Sequence, residues 1–200
     1  MREMILNHQA LSDVGDSMLI VIDVQQSFIE KMSTEHIQPI INRISWIVQM
    51  AVKLNVPIVA TAEDIPEEGT NIAQIADFFP EGTKEHNKMS HGSAGDPVIL
   101  AAVEKTNRKT AVIVGLETDV CVMQSALGLL QKGFRVVVLS DATASPGPCH
   151  EAGILRMQNA GVIISTAKGT FYEWTRTVGF LKDNFYAEAW ETKLPGGVFL

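Results

Sequence analysis

The chain has 200 residues, 46% of them hydrophobic, which is enough for a compact domain with a sizeable core. Its formal net charge is -7, from 16 basic and 23 acidic residues, and no basic cluster is present. This balance argues against nucleic acid or an anionic membrane surface as the main partner. The longest apolar runs are far shorter than the roughly 20 residues that span a bilayer. We therefore expect a small-molecule substrate, with no nucleic-acid and no membrane partner.

The N-terminal stretch has no signal-peptide core, because charged and polar residues interrupt it. The two cysteines, Cys121 and Cys149, are too few for a disulfide framework in a chain of this length. We therefore expect reduced thiols and a cytoplasmic location. No linker, repeat or low-complexity segment divides the sequence, which predicts a single domain over residues 1–200.

Apolar runs rich in Val and Ile predict the strands. They do not alternate polar with apolar residues, so both faces should be covered, as in a parallel sheet. Helical patterns lie between them, for example over residues 37–54 and 97–107. This alternation predicts an α/β fold with a doubly wound, mostly parallel sheet of about six strands and helices on both faces. The predicted strands are residues 18–23, 56–61, 110–115, 135–140 and 161–165, with a short sixth near 85–89.

Chemistry is expected beyond the carboxyl ends of these strands, because ligands bind there in doubly wound sheets. Asp23 ends the first strand, and the strand at 110–115 leads into Cys121. Asp23 could act as a general base for the thiol if the fold brings the two strands together. The alternative is an aspartate that caps a turn. Lys88 could favour the thiolate, although a lone lysine is most often a solvated surface charge.

Cys121 follows Thr118, which is predicted to be the N-cap of a helix. In the first helical turn, free N–H groups and the helix dipole would favour a thiolate. The same N–H groups could hold the oxyanion that forms when the thiolate attacks a carbonyl. The alternative is that Cys121 is a small buried hydrophobic residue.

Histidine spacing does not favour a metal centre. His86 and His91 are five residues apart, which places them on opposite faces of a strand. The chain has no H-E-x-x-H pattern, and neither cysteine has a C-x-x-C partner. We therefore predict no metal site.

Three stretches resemble the motifs of the isochorismatase-like cysteine hydrolases. They are VIDVQQSF at residues 21–28, the lysine at 88 and GLETDVCV at 115–122, in the expected order over roughly residues 18–170. The resemblance implies a catalytic triad of Asp23, Lys88 and Cys121 that hydrolyses amides and related C–N bonds through a thioester. It also implies a cis peptide bond between Leu116 and Glu117, and an oxyanion hole formed by the amides of Glu117 and Cys121.

The sequence also departs from two branches of that family. Nicotinamidases carry an Asp-x-His metal motif after the second strand, whereas this chain reads Thr61-Ala62-Glu63-Asp64. Several isochorismatases, which cleave a vinyl ether, have no cysteine at the position of Cys121. The prediction is a hydrolase without metal or other cofactor, acting on a small amide, carbamoyl or ureido compound. The alternatives are an isochorismate-type vinyl ether hydrolase and a non-catalytic binding or redox-responsive protein on the same scaffold.

Two further expectations concern the surroundings of the site. Gln25, Phe28 and Trp174 are predicted to line the substrate pocket. The helix after Cys121 is apolar around most of its circumference, so another helix or another subunit should cover its outer side. This pattern predicts a homo-oligomer, and the family resemblance implies the same, because members of the family commonly self-associate.

Overall fold

The computed structural model describes residues 10–185. Residues 1–9, which belong to the stretch expected to lack a signal-peptide core, lie outside this range, as do residues 186–200. Within the described range, none of the helices combines the length and the apolar character needed to cross a bilayer.

The elements alternate along the chain as expected. The strands are β1 (Ser17–Ile22), β2 (Ile58–Glu63), β3 (Glu85–Lys88), β4 (Thr110–Leu116), β5 (Arg135–Ala144) and β6 (Ile163–Ser165). The α-helices are α1 (Gln26–Ile29), α2 (Thr34–Lys53), α3 (Ile65–Glu68), α4 (Ala73–Ala76), α5 (Pro97–Lys105), α6 (Met123–Gln131), α7 (Cys149–Asn159), α8 (Ala167–Thr175) and α9 (Val178–Asn184). A 3₁₀ turn covers Ser93–Gly95, and a π-helical turn covers Thr118–Val122.

The six strands form one parallel sheet in the order β3-β2-β1-β4-β5-β6. The chain winds outward from β1 to β3, then returns to place β4 against the other side of β1. The switch point is therefore between β1 and β4, which is where the crevice of a doubly wound sheet opens. This confirms the predicted fold class, including the short sixth strand near residues 85–89.

Side chains of β1 alternate between two hydrophobic layers. Leu19 and Val21 pack into the layer that contains α2 and α8, whereas Met18, Ile20 and Ile22 pack into the layer that contains α6 and α7. All six residues of β1 are buried, as expected for a central parallel strand covered on both faces. The core therefore fixes the register of β1, and with it the position of the residue that follows it.

The apolar helix α6 is covered within the chain. It packs against the 3₁₀ turn Ser93–Gly95 and against α7. The fit to that turn is close, because a Cβ on Gly128 would lie 2.8 Å from the Cβ of Ala94. Leu127 and Leu130 remain only half-buried. The sequence pattern left open whether a helix or a subunit would cover this side, and most of the cover comes from the same chain.

Gly115 permits the close approach of β1 and β4 at the switch point. It pairs with Ile22 across the two strands, and its φ of 127° lies in the region that favours glycine. A Cβ at this position would overlap the carbonyl oxygen of Ile22. The strands next to the predicted site can therefore meet in this way only with glycine here.

Replacing Gly115 with alanine should destabilise the protein by about 3 kcal/mol or more, since backbone strain and overpacking add. Gly133→Ala is the matched control, because Gly133 has φ 86° and a Cβ added there would have no neighbouring atom within 4 Å. It should cost only about 1–2 kcal/mol. Urea unfolding monitored by circular dichroism measures both, and equal losses would contradict the close-approach argument.

Candidate active site

Side chains from the carboxyl ends of four neighbouring strands meet, and three of them surround the thiol of the fourth. Asp23 follows β1, Glu63 ends β2, Lys88 ends β3, and Cys121 lies in the π-helical turn after β4. Because β3, β2, β1 and β4 are consecutive in the sheet, their ends converge at one edge. The structure thus brings Asp23, Lys88 and Cys121 together, as the sequence predicted, and adds Glu63.

The ammonium of Lys88 is the centre of this cluster. Its side chain is fully buried, and Nζ lies 2.9 Å from Asp23 Oδ2 and 3.1 Å from Glu63 Oε2. It also donates to the carbonyl of Ser90 at 2.9 Å and lies 3.5 Å from Cys121 Sγ. A buried cation is tolerated only when such partners replace its water. Lys88 is therefore an internal charge, and the alternative of a solvated surface lysine does not apply.

Asp23 is a buried carboxylate in an uncommon backbone conformation. Its φ is 49°, and its Oδ1 accepts a hydrogen bond from Thr61 Oγ1 at 2.8 Å. Burial raises the pKa of Asp23 above its ordinary value, although the ion pair with Lys88 opposes this. Such a carboxylate is a stronger proton acceptor than a solvated aspartate. Its surroundings differ from those of an aspartate that only caps a turn.

Burial and the nearby carboxylates favour the neutral form of the Cys121 thiol. Its pKa is raised, first by burial and then by the negative charge of Asp23, and the nearby ammonium of Lys88 only partly offsets these effects. The thiol donates to Glu63 Oε2 at 3.3 Å, and Asp23 is also a hydrogen-bond partner. The predicted influence of the helix end and of Lys88, which would favour a thiolate, did not take account of burial and of two carboxylates beside the sulfur, which raise the pKa.

The turn that carries Cys121 differs from the predicted helix N-terminus. Thr118 is not a cap: its hydroxyl is 2.9 Å from Thr143 Oγ1 and 2.9 Å from His150 Nδ1. Helix α6 begins only at Met123, so Cys121 precedes it. The peptide bond between Leu116 and Glu117 is cis. Hydrogen bonds to β5 and α7, not a cap, hold this turn.

Lys31 links Phe28 to Glu117, the residue that precedes the turn carrying Cys121. The Glu117 carboxylate pairs with Lys31 Nζ at 3.0 Å, and the same ammonium lies 4.4 Å from the centre of the Phe28 ring. Phe28 is almost completely buried, with 8% of its surface exposed. The structure therefore places this predicted pocket residue beside the turn that carries the thiol.

Gln25 has a different role from the predicted one. Its side chain is fully buried, and its amide pairs with the backbone of Glu63: Nε2 donates to the Glu63 carbonyl and Oε1 accepts from the Glu63 N–H, both at 2.8 Å. Nε2 also donates to the carbonyl of Gly69 at 2.8 Å. Both ends of the amide thus bind the protein backbone, so Gln25 holds the end of β2 and does not face a pocket.

Trp174 lies at the other end of the sheet. Its indole N–H donates to Ser17 Oγ at 3.0 Å, and Ser17 is the first residue of β1. Asp23 follows the other end of that strand, about 20 Å from Ser17 at ~3.3 Å per residue. The structure does not bring Trp174 to the pocket, because α8 runs from β6 toward the amino ends of the strands.

Glu63 is the site residue that sequence reasoning missed. The second strand was expected to end at Thr61, whereas β2 continues to Glu63. Glu63 therefore lies at the carboxyl end of its strand, which is the same criterion that selected Asp23. Its pKa is lowered, because the hydrogen bonds from Lys88 and Cys121 outweigh burial, so it is ionised at neutral pH. A strand prediction extended by two residues would have found it.

One trio of possible metal ligands occurs among residues 10–185. Donor atoms of Glu63, His91 and Cys121 lie within 4.8 Å of one another. However, Lys88 Nζ is 3.1 Å from the Glu63 oxygen and 3.5 Å from the sulfur, so a metal cation would meet a buried ammonium. His91 is also largely exposed. This set of side chains does not fit a resident metal ion.

Comparisons with known proteins identify the family and agree with the fold. The isochorismatase domain model matches residues 17–168. The secreted isochorismatase effector Isc1 of Phytophthora sojae is 30% identical over 172 residues, which are 82% of this chain and 79% of that protein. YcaC from Pseudomonas aeruginosa, with hexane-2,5-diol and covalent acrylamide, has the same fold with a TM-score of 0.79 at 23% identity, covering 93% of this chain and 97% of that one.

The YcaC gene product from Escherichia coli, described as an octameric hydrolase of unknown specificity, has a TM-score of 0.77 at 20% identity, covering 93% of this chain and 98% of that one. The three-layer α/β architecture is thus shared with these solved structures. The chain belongs to the isochorismatase family. This confirms the resemblance seen in the sequence motifs.

Alkylation of Cys121 by iodoacetamide should keep rising with pH beyond the range in which an ordinary thiol levels off. The reason is that only the thiolate reacts, and the pKa of Cys121 lies above the usual value of about 8.5. Rates measured by intact mass on a Cys149→Ala background, with glutathione as the reference thiol, test this. Asp23→Asn should move the profile to lower pH, since it removes a negative charge. A plateau below pH 8 in the Cys149→Ala protein would instead reveal an activated thiolate.

Proposed function

We propose that the protein is a metal-independent cysteine hydrolase that cleaves a C–N bond of a small amide, carbamoyl or ureido compound through a thioester. One observation carries the proposal: the buried Cys121 thiol lies between two carboxylates, with the Lys88 ammonium 3.5 Å from its sulfur. A nucleophile, a base and a charged partner are thus within reach of one another. Membership of a family with a hydrolase fold supports the same reaction class.

In the acylation half of the reaction, Asp23 takes the thiol proton as the bond between Sγ and the carbonyl carbon forms. The carbonyl electron pair moves onto its oxygen, which the backbone amides of Glu117 and Cys121 are proposed to hold. Collapse of this intermediate breaks the C–N bond, and the departing nitrogen takes the proton from Asp23. The raised pKa of Asp23 suits both transfers, because the residue must first accept and then release a proton.

In the deacylation half, a water molecule attacks the thioester. Asp23, ionised again, accepts a proton from that water and returns it to the sulfur as the C–S bond breaks. The products are a carboxylic or carbamic acid and the regenerated thiol. Lys88 stays protonated throughout and stabilises the negative charge as it passes between Asp23 and the sulfur.

Two other functions remain distinct hypotheses. An isochorismate-type hydrolase would cleave a vinyl ether without using the thiol, so it should tolerate loss of Cys121. A non-catalytic binding or redox-responsive protein would show a reactive thiol with no turnover on any amide. A screen of small amides, ureido compounds and vinyl ethers against the purified protein separates the three.

The proposal includes a single domain over residues 1–200 and action in the cytoplasm without nucleic acid as partner. The net charge of -7 supports the last point. One relative is named a secreted effector, so fractionation of the source cells is the experiment that decides location.

Cys121→Ala should abolish turnover while preserving the fold, because the change is small. Asp23→Asn should reduce the rate by about 10²–10⁴-fold, since the amide has almost the same shape but cannot accept the thiol proton. Lys88→Met should also impair catalysis by removing the buried positive charge. Steady-state rates on a substrate from the screen, with circular dichroism to check folding, measure these effects.

The matched control is Cys149→Ala, because Cys149 is exposed and lies in α7, outside the cluster. It should leave turnover unchanged, and so should chelation of metal ions in the assay. Turnover by Cys121→Ala near the wild-type rate would end the covalent mechanism. Loss of activity on chelation, restored by zinc or iron, would end the claim of metal independence.

We propose, too, that the protein is a homo-oligomer. The support is the octameric structural neighbour YcaC and the half-buried Leu127 and Leu130 on α6. Light scattering at micromolar concentration should show a mass above the 21.8 kDa of one chain. A monomeric wild-type protein under these conditions would contradict the proposal. If the wild type is an oligomer and Leu127→Glu is a monomer, the interface includes α6.

A further inference from the structure

We propose that Glu63 accepts a hydrogen bond from an N–H of the substrate while Cys121 reacts, and that the site therefore selects carbonyl compounds that carry an N–H over esters and tertiary amides. This inference rests on the proposed function, because it assigns the substrate side of the same thiol. It narrows the substrate class to primary or secondary amides, carbamoyl and ureido groups. It also gives Glu63 a role separate from that of Asp23.

Exposure distinguishes the two carboxylates beside the thiol. The side chains of Asp23 and Lys88 are fully buried, whereas 27% of the Glu63 side chain is exposed. Cys121 itself has only 2% of its surface exposed. Glu63 is the most exposed of these four side chains, and we infer that a substrate approaches the sulfur from its side. Asp23 is left to exchange protons behind the sulfur.

Distance places the substrate within reach of Glu63. Oε2 of Glu63 lies 3.3 Å from Cys121 Sγ. A carbon under attack must come to about 3–3.5 Å from that sulfur. Where that carbon approaches on the Glu63 side of the sulfur, groups bonded to it or to its neighbour come within hydrogen-bonding distance of the Glu63 carboxylate. The substituent that Glu63 meets is thus part of the reacting group itself.

The chemistry of Glu63 determines which substituent it accepts. An ionised carboxylate only accepts hydrogen bonds, and its two oxygens offer about four lone-pair sites. Oε2 meets Lys88 Nζ at 3.1 Å, accepts from Cys121 Sγ at 3.3 Å and faces His91 Nδ1 at 3.6 Å, so the lone pairs of Oε1 are the ones left for another donor. An N–H supplies one, whereas an ester oxygen or a dimethylated nitrogen would present no donor to the negative charge.

Gln25 fixes Glu63 for this task. Its buried amide binds both the N–H and the carbonyl of Glu63 at 2.8 Å. The backbone of Glu63 is therefore clamped at the end of β2, so the carboxylate does not have to be ordered when substrate binds. Lys88 holds the other end of the side chain. A carboxylate pre-positioned in this way loses little freedom on binding.

The test compares how fast Cys121 is alkylated by 2-chloroacetamide, 2-chloro-N,N-dimethylacetamide and methyl chloroacetate. In each reagent the reacting carbon is bonded directly to the carbonyl, and only chloroacetamide carries N–H. Rates are measured by intact mass on a Cys149→Ala background and divided by the rates for glutathione. We expect the chloroacetamide preference of Cys121 to exceed that of glutathione about tenfold, the size of one hydrogen bond to a charged group.

Glu63→Gln and Glu63→Leu should lose this preference, with the larger loss in Glu63→Leu, which has no acceptor. A change in the thiol pKa alters the rates of all three reagents by the same factor, because all three react with the same thiolate. The ratio of these rates is therefore unaffected by the pKa. Glu68→Gln is the control, since Glu68 is an exposed glutamate in α3. It should leave the preference intact.

The outcomes separate the two levels of the proposal. If wild-type Cys121 prefers chloroacetamide no more than glutathione does, the proposed role of Glu63 is overturned. This comparison uses only the wild-type Glu63 and does not depend on the folding of a Glu63 variant. A preference that survives in folded Glu63→Leu would overturn that role equally. Full turnover by folded Cys121→Ala would instead defeat the cysteine mechanism itself.

Discussion

The buried ammonium of Lys88 is the interaction on which the rest of the site depends. It joins the residue after β1, the end of β2, the carbonyl of Ser90 and the turn after β4. Removing one member of a buried ion pair typically costs about 3–5 kcal/mol, because the remaining charge loses its compensation. Here one cation compensates two carboxylates. The same contacts that hold the carboxyl edge of the sheet together therefore set the charge around the thiol.

The sheet makes this arrangement possible because it brings the carboxyl ends of four strands together. Strand order places the ends of β3, β2, β1 and β4 side by side, and Gly115 lets β1 and β4 approach closely at the switch point. The hydrophobic layers fix the register of each strand, and so they also fix the position of the polar residue at its carboxyl end. Gln25 adds a direct link from the segment after β1 to the end of β2.

Sequence patterns predicted the fold and drew attention to Asp23 and Cys121 because these follow from local signals, whereas the role of Lys88 was implied only by the family resemblance. Uninterrupted apolar runs indicate buried parallel strands, and the residues that follow them indicate the site. Glu63 was missed because the apolar pattern ends before β2 does. Trp174 was misplaced because an aromatic residue in a helix does not reveal toward which end of the sheet it points.

The protonation state of Cys121 was beyond the sequence for a different reason. It depends on burial and on carboxylates that lie nearly 60 and 100 positions away in the chain, at Glu63 and Asp23. Local reasoning about a helix terminus could not include them. The helix geometry was itself different, since Thr118 binds Thr143 and His150 instead of capping. Electrostatics at this site is a property of tertiary structure.

The neutral, buried state of Cys121 also bears on its chemical durability. Peroxides oxidise thiolates, and the sensor cysteines that respond to them are exposed and have a low pKa. Cys121 has the opposite properties, with 2% of its surface exposed and a raised pKa. Sulfenic acid formation should therefore be slow at rest. A nucleophile that becomes a thiolate only as it attacks would survive in an oxidising setting in which a permanently activated cysteine would be lost.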